Sequence, residues 1–297
     1  MPAPNHVIIG VHGLSAKPPQ EQHAADWKSA ICEGLARNLG VDDAQERIGF
    51  HLVYWAQWLE REAIAPGKDK EPYVEAKDGG PLPRYQQRWL DNALGKVLDE
   101  VADPVDWVKS APPTDWIRTH TGFDEAGVFL LQRRIVDLGT YYSNPGKRAL
   151  LRGLLTEALQ QHEGKRIMLV AHSMGSIVAY DVLRDFGRDR PEMAIDHLVT
   201  LGSPLGLPYV LSRIRQENAA VRTPSVVQRW TNIADRRDPV AVDVHLRDEY
   251  EPNDRAVAVK DILALNMYRS PEGKPNRHKI YGYLRTPEFS ELVCNFI

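Results

Sequence analysis

The sequence predicts an α/β protein whose mostly parallel sheet is covered by helices on both faces. Short apolar runs typical of buried strands alternate along the chain with segments whose apolar residues recur at helical spacing. A chain of 297 residues can bury a large core and suits one domain with an insertion. The predicted strands lie at about 6–11, 48–55, 166–171, 196–202 and 226–233, with a further candidate at 255–259.

The helices are predicted from amphipathic spacing. The segment 21–38 carries Trp27, Ile31 and Leu35 at four-residue intervals, so one face of this helix packs inward. A helix is expected before the third strand and another after it, and the chain is expected to end in a helix over about 287–296. Helices between successive strands allow those strands to run parallel.

A serine stands at the turn between the third predicted strand and the helix that follows. The turn is Ala171-His172-Ser173-Met174-Gly175. Strand and helix backbones approach closely in such a turn, and Ala171 and Gly175 are small enough to fit there. The pattern therefore predicts an exposed serine hydroxyl on a strained backbone, with an ordinary strand-to-helix turn as the alternative.

This turn resembles the nucleophile elbow of the α/β-hydrolases, with Ala171 in place of the usual first glycine, as in several bacterial lipases. Within that superfamily the chain is similar to the lipase-like serine esterases. The resemblance rests on motifs spread from His12 to His278 and does not cover the middle of the chain. It implies that Ser173 is the nucleophile and that an acid and then a histidine follow it along the chain.

The resemblance also implies two backbone N–H donors for the oxyanion that forms during acyl transfer. One belongs to the residue after the nucleophile, here Met174, and the other to the loop after an early strand. The first predicted strand ends in His12-Gly13-Leu14, which is similar to the oxyanion loop of bacterial lipases and esterases. We expect Leu14 and Met174 to donate, with Gly13 allowing close approach. We expect His12 to hold the loop by hydrogen bonds, with a direct chemical role as the alternative.

Two aspartates follow the fifth predicted strand, and either could orient the histidine. The lipase-like pattern places the acid just ahead of an apolar or proline pair, which describes Asp238-Pro239-Val240. We therefore expect Asp238 to be the acid. Asp235 is the alternative, unless it caps the loop and pairs with the neighbouring arginines.

The expected base is a histidine that comes after this acid. Of the ten histidines, His245 and His278 lie beyond Asp238. His245 is seven residues from Asp238, too near to fold back over the serine. His278 lies in a polar segment before the last helix, where this fold delivers its base, and we expect it to fill that role. An ordinary surface histidine is the alternative.

The function that the resemblance implies is hydrolysis of carboxylic esters, without a cofactor or a metal. Ser173 attacks the acyl carbonyl, His278 takes its proton, Asp238 holds the imidazole tautomer, and water then hydrolyses the acyl-enzyme. The expected substrate is a small-molecule or lipid ester. The same machinery would serve an acyltransferase, an amidase or a thioesterase. A non-catalytic hydrolase-like binding protein is the alternative from another class.

The middle of the chain is expected to form an insertion. About ninety residues separate the second strand from the helix before the third, and a simple crossover needs far fewer. We expect a hydrolase core formed by 1–56 and 143–297 and a helical cap formed by 57–142. The cap is interpreted as a unit with its own small core, as a lid with aromatics lining an acyl pocket, or as a homodimer interface. Four of the seven tryptophans lie in it: Trp58, Trp89, Trp107 and Trp116.

Composition and charge argue against several other classes. A net charge of −3 gives no reason to expect nucleic acid or an anionic membrane as partner. No run approaches the ~20 apolar residues that a membrane-spanning helix needs. The first strand begins close to Met1, so no signal peptide is expected. Cys32 and Cys294 are isolated and lack metal-ligand spacing, so we expect a cytoplasmic protein.

Overall fold

The structure, a computed structural model, confirms the α/β class. It describes residues 5–13, 16–56, 63–65, 67–75, 80–86, 125–241 and 243–297. Within these residues six strands form one sheet in the order β2-β1-β3-β4-β5-β6, and each pair of neighbours is parallel. The strands are β1 (His6–Val11), β2 (Phe50–Val53), β3 (Arg166–His172), β4 (His197–Leu201), β5 (Trp230–Ala234) and β6 (Val259–Leu263).

Helices occupy the connections between the strands and the end of the chain. Capping residues mark some of their boundaries: the Asn144 side chain accepts the Lys147 N–H at the start of one helix, and the Thr286 side chain accepts that of Phe289 at another. The described helices are α1 (Gln20–Leu39), α2 (Ala44–Arg47), α3 (Glu125–Ser143), α4 (Pro145–Gln161), α5 (Met174–Asp189), α6 (Pro208–Asn218), α7 (Leu246–Glu249), α8 (Ile280–Leu284) and α9 (Pro287–Cys294).

The sheet separates two hydrophobic cores. Successive residues of β1 enter opposite cores, since side chains alternate across a strand: Ile9 packs on the side of α3 to α6, and Ile8 on the side of α1, α8 and α9. Trp27 of α1 is fully buried in the second core. The prediction of helices on both faces is confirmed.

The direction in which new strands are added to the sheet changes at β1, although all the strands run parallel. From β1 the chain crosses through α1 to β2 on one side, whereas β3 pairs with β1 on the other side. The loops after β1 and β3 therefore leave the sheet side by side at its carboxyl edge. In open parallel sheets such a switch point is where ligands bind.

The last predicted strand is misplaced. A strand at 255–259 is wrong, because the side chain of Asn253 accepts the N–H of Val257 at 3.0 Å and Ala256 has a φ of 59°. These features close a turn that the alternating sequence pattern does not reveal. The strand begins at Val259.

Other boundaries move by a few residues. The strand predicted at 48–55 is limited to Phe50–Val53, and beyond it the Trp55 N–H turns toward His12 Nε2 at 3.2 Å. The strand predicted at 226–233 begins at Trp230, and Val227 forms an isolated bridge. The last helix ends at Cys294, and α8 before it is an additional short helix.

Most of the predicted cap lies outside the described residues, including all four of its tryptophans. The predicted helix around Val128 to Leu138 is confirmed as α3, in which both of these residues are buried. The division into a core and a cap stays a prediction. In the part of the chain that the structure describes, no helix combines the length and apolar character needed to cross a bilayer.

Candidate active site

Ser173 lies between the end of β3 and the start of α5. Its backbone has φ 55° and ψ −133°, in a region that non-glycine residues rarely adopt. Such conformations persist where the surrounding structure enforces them, and they cluster at functional sites. The side chain is almost fully buried. The predicted strained backbone is present, but the predicted exposure of the hydroxyl is wrong, because Gly13 and His278 pack against the serine side chain.

Close packing explains the glycines around this serine. A Cβ on Gly175 would lie 2.6 Å from the carbonyl oxygen of Val11, so a side chain there would separate α5 from β1. A Cβ on Gly13 would lie 2.8 Å from Ser173 Cβ and 3.1 Å from its Oγ. The loop after β1 therefore packs directly against the serine, where a side chain at position 13 would not fit.

His278 lies against the serine. Its Nε2 is 2.9 Å from Ser173 Oγ, across a sequence separation of 105 residues. On the other side of the ring, Nδ1 lies 2.9 Å from each carboxylate oxygen of Asp238. The structure thus brings Ser173, His278 and Asp238 into one line of hydrogen bonds. An imidazole that donates from Nδ1 to the carboxylate keeps the Nε2 lone pair for the serine proton.

Asp238 is fully buried and its oxygens have further protein donors. One oxygen accepts the Val240 N–H at 2.9 Å, and the other accepts the Tyr283 hydroxyl at 2.6 Å. A buried carboxylate needs such partners, because burial of an unpaired charge is costly. The loop after β5 holds Asp238 through its own backbone.

Asp235, the alternative acid, has other partners. Its oxygens accept from the Arg237 side chain at 2.9 and 2.7 Å and from the Asn266 N–H at 2.8 Å. It also accepts the Arg237 N–H, which closes the local turn. These contacts match a loop-capping carboxylate paired with an arginine.

His245, the alternative base, is exposed at the start of α7. Its Nε2 lies 3.3 Å from a guanidinium nitrogen of Arg236. Of the two histidines beyond Asp238, the structure thus places His278 next to Ser173.

The two predicted oxyanion donors differ in what can be described. Met174 is the first residue of α5, and the first N–H groups of an α-helix have no intrahelical acceptor. Leu14 lies outside the described residues, so its role stays a prediction. Its neighbour Gly13 contacts the serine, as described above.

His12 holds the loop that leads to Leu14. Its Nε2 accepts the Trp55 N–H at 3.2 Å, which leaves Nδ1 to donate to the Gly13 carbonyl at 2.7 Å. Burial, with a contribution from the charge of Lys17, lowers the pKa of His12 to about 3. A neutral ring with both nitrogens engaged fits the predicted structural role.

Three further residues support the histidine, and the sequence did not single them out. His172 Nε2 lies 2.9 Å from the His278 carbonyl oxygen, and the two rings lie 4.7 Å apart. The Asn276 side chain accepts the His278 N–H at 2.9 Å, an Asx turn that an Asn two residues ahead could have indicated. Tyr283 gives no such local signal, because its partner Asp238 is 45 residues away.

No three histidine, cysteine, aspartate or glutamate side chains of the described residues converge in a group that could hold a metal ion. No protein-family model matches the chain, and no curated protein sequence matches it either. The assignment of a function therefore depends on the geometry around Ser173.

Proposed function

We propose that the protein is a serine hydrolase of the α/β-hydrolase type that cleaves carboxylic esters through an acyl-enzyme on Ser173. The observation that carries this proposal is the unbroken chain from Asp238 through His278 to Ser173, with 2.9 Å at both contacts. Ser173 follows β3 beside the switch point of the sheet, and its backbone is strained.

The first half of the proposed reaction acylates the serine. Ser173 Oγ attacks the ester carbonyl carbon while its proton passes to His278 Nε2, and Asp238 stabilises the imidazolium. The oxyanion is held by the Met174 and Leu14 N–H groups. The bond from carbon to the leaving oxygen then breaks, and the imidazolium returns its proton to that oxygen.

The second half releases the acid. His278 Nε2 takes a proton from water, whose oxygen attacks the acyl-enzyme carbonyl, and collapse of the intermediate returns the proton to Ser173 Oγ. The expected substrates are small-molecule or lipid esters. Cys32 and Cys294 are both free thiols, which supports a reducing, cytoplasmic setting.

The test is covalent labelling of the purified protein with a fluorophosphonate probe. Ser173→Ala is expected to abolish labelling and turnover while the thermal unfolding transition persists. Ser270→Ala is the matched control and is expected to be labelled like wild type, since Ser270 is also buried but donates to the Glu272 carboxylate at 2.8 Å. Equal labelling of wild type and Ser173→Ala would show that the serine is not the nucleophile.

A panel of esters of increasing acyl length, with matched amides and thioesters, defines the reaction class. Fastest turnover of esters supports the proposal. Preference for an amide or a thioester, or faster transfer to an added alcohol than to water, would reassign the chemistry and keep the nucleophile. Absence of labelling together with tight binding of ligands would favour the non-catalytic alternative.

A further inference from the structure

Tyr283 contacts the carboxylate of Asp238, the proposed catalytic acid, which also contacts His278. It belongs to the short helix α8, which begins two residues after His278. Its hydroxyl donates to Asp238 Oδ2 at 2.6 Å and accepts the backbone N–H of Asp235 at 3.1 Å. One phenol thus connects the helix that follows the histidine with the loop that carries the acid.

The direction of this hydrogen bond is fixed by burial. Tyr283 is fully buried, and burial raises the pKa of its phenol well above the usual range, with the charge of Asp238 adding to the effect. The hydroxyl therefore keeps its proton. The Asp235 N–H donates to the phenol oxygen, and the phenol in turn donates its own proton to Asp238.

Asp238, His278 and Tyr283 all pack against Gly202, with no room for a side chain at that position. Gly202, which follows β4, has a φ of 52°. A Cβ at this position would lie 2.6 Å from Asp238 Oδ2, 2.9 Å from a ring carbon of Tyr283 and 3.3 Å from His278 Nδ1. The tyrosine ring therefore fills the space beside the contact between acid and histidine.

Other titratable groups stand close to this contact. The His172 ring lies 4.7 Å from that of His278 and 6.2 Å from that of Tyr283. Asp235 lies one hydrogen bond farther away and is paired with Arg237. The phenol is thus a neutral side-chain donor in direct contact with Asp238, whereas the ion pair of Asp235 and Arg237 lies on the far side of the phenol.

We propose that Tyr283 is a positioning residue for the reaction, whose hydroxyl holds the Asp238 carboxylate against His278 and offsets part of its negative charge. This inference rests on the proposed function. The positive end of the O–H dipole points at the acid and lies near the imidazole, so it opposes the positive charge that His278 acquires when it takes the serine proton. The hydroxyl thereby tunes the histidine as well as orienting it.

The experiment measures the rate constant of fluorophosphonate labelling against pH, which needs no knowledge of the natural substrate. Tyr283→Phe is expected to lower the rate constant about tenfold, the scale expected for one lost hydrogen bond to a charged group. The midpoint of the acidic limb is expected to move to higher pH by about half a unit, because the opposing dipole is gone. A purely structural role would leave this midpoint in place.

Tyr281→Phe is the matched control on the same helix. Tyr281 is also buried and also donates to a carboxylate, but its hydroxyl lies 3.3 Å from Asp26 Oδ2 and 3.3 Å from His23 Nδ1, whereas that of Tyr283 donates to Asp238. Its rate constant and midpoint are expected to equal those of wild type. Comparable changes in both variants would mean that loss of any buried phenol disturbs the site, and would overturn the inference.

A fluorinated tyrosine incorporated at position 283 keeps the test decisive if Tyr283→Phe fails to fold. Its more acidic phenol donates more strongly, so the midpoint is expected to move to lower pH, opposite to the movement in Tyr283→Phe. An unmoved midpoint, or a Tyr283→Phe variant that labels like wild type, overturns the inference and leaves the proposed function intact. If wild type is not labelled, or Ser173→Ala is labelled equally, the proposed function fails and the inference fails with it.

Discussion

Two buried clusters in this molecule contain the same kinds of side chain but differ in how these are connected. The Ser173 cluster consists of Ser173, His278, Asp238 and Tyr283, and the His23 cluster consists of His23, Asp26, Trp27 and Tyr281. Each holds an imidazole, a carboxylate and a phenol, and both phenols come from α8. Composition and burial therefore do not distinguish them.

The connections do. In the His23 cluster the ring Nε2 accepts the indole N–H of Trp27 at 3.2 Å, so this lone pair is already used. The Tyr281 hydroxyl lies between the imidazole and the carboxylate, 3.3 Å from His23 Nδ1 and 3.3 Å from Asp26 Oδ2. In the Ser173 cluster the carboxylate touches Nδ1 directly and Nε2 faces a hydroxyl. A buried histidine becomes a candidate base through this order of contacts.

The charge states follow from these connections. Burial lowers the pKa of His23 well below its usual range, and neighbouring His12 adds to the effect. Burial also raises the pKa of the Asp26 carboxyl. Both shifts favour neutral side chains, so the His23 cluster is suited to packing. The comparison predicts that activity depends on the Ser173 cluster and that the His23 cluster contributes to the pH dependence of stability instead.

The largest expected difference between the clusters lies in their histidines. His278→Gln is expected to lower kcat by about 10⁶-fold, the scale of loss for the base of a serine protease triad. His23→Gln is expected to keep kcat within about threefold of wild type, because His23 touches none of the reacting groups. Steady-state kinetics on an ester substrate measure both. Similar losses of kcat in the two variants would show that the two clusters do not differ in function.

The aspartates give the next largest difference. Asp238→Asn is expected to lower kcat by about 10⁴-fold, because an amide no longer fixes the imidazole tautomer. Asp235→Asn and Asp26→Asn each keep the carboxylate shape and are expected to cost much less. The three variants are compared by kcat together with thermal unfolding. If Asp235→Asn shows the largest loss, Asp235 is the acid and the assignment of Asp238 is wrong.

A smaller effect is expected from the segment that supports the histidine loop. The Asn276 amide donates to the Glu71 carboxylate at 2.8 and 2.9 Å, while its oxygen accepts the His278 N–H at 2.9 Å. Asn276→Ala is expected to lower kcat about tenfold by loosening this loop. In the His23 cluster, by contrast, the imidazole and the carboxylate both lie on α1, so one helix positions them relative to each other.

Asn218→Ala on α6 is the control for this prediction, because Asn218 accepts from Arg188. It is expected to keep wild-type kcat. The measurement is kcat with the free energy of unfolding in urea for each variant. A loss of stability in Asn276→Ala with unchanged kcat would show that the segment around Glu71 supports the fold without positioning His278.

The smallest effect concerns stability against pH. The unfolded chain binds a proton on His23 below about pH 6.5, whereas the folded chain binds it only at much lower pH. The free energy of unfolding is therefore expected to fall as the pH is lowered below 6.5, and His23→Gln is expected to flatten this slope. The change is at most about 1.4 kcal/mol per pH unit. Urea unfolding at a series of pH values measures it, and an unchanged slope would contradict the assignment.

Local patterns predicted the part of this site that local geometry determines. The small residues on both sides of Ser173 are visible in the sequence, since the close approach of strand and helix requires them there, whereas Asp238 was chosen by its similarity to the lipase-like pattern. The contacts of Tyr283 and His172 arise between segments 45 and 106 residues apart. The strand at Val259 was misplaced because the Asn253 turn depends on a side chain bonding to backbone. Packing between distant segments leaves no periodic signal.

The distance along the chain between Ser173 and His278 has a consequence for synthesis of the protein. The two residues are 105 positions apart, so at ~5–20 residues per second the serine is made about 5–20 s before its histidine. The histidine segment is then held by docking of the chain end on α1, where Asn38 donates to the Arg285 carbonyl and to Ser290 Oγ, each at 2.9 Å. If the proposed function is correct, a nascent chain carries the serine without its base, and we expect reactivity with the probe only after the last helices have folded into place.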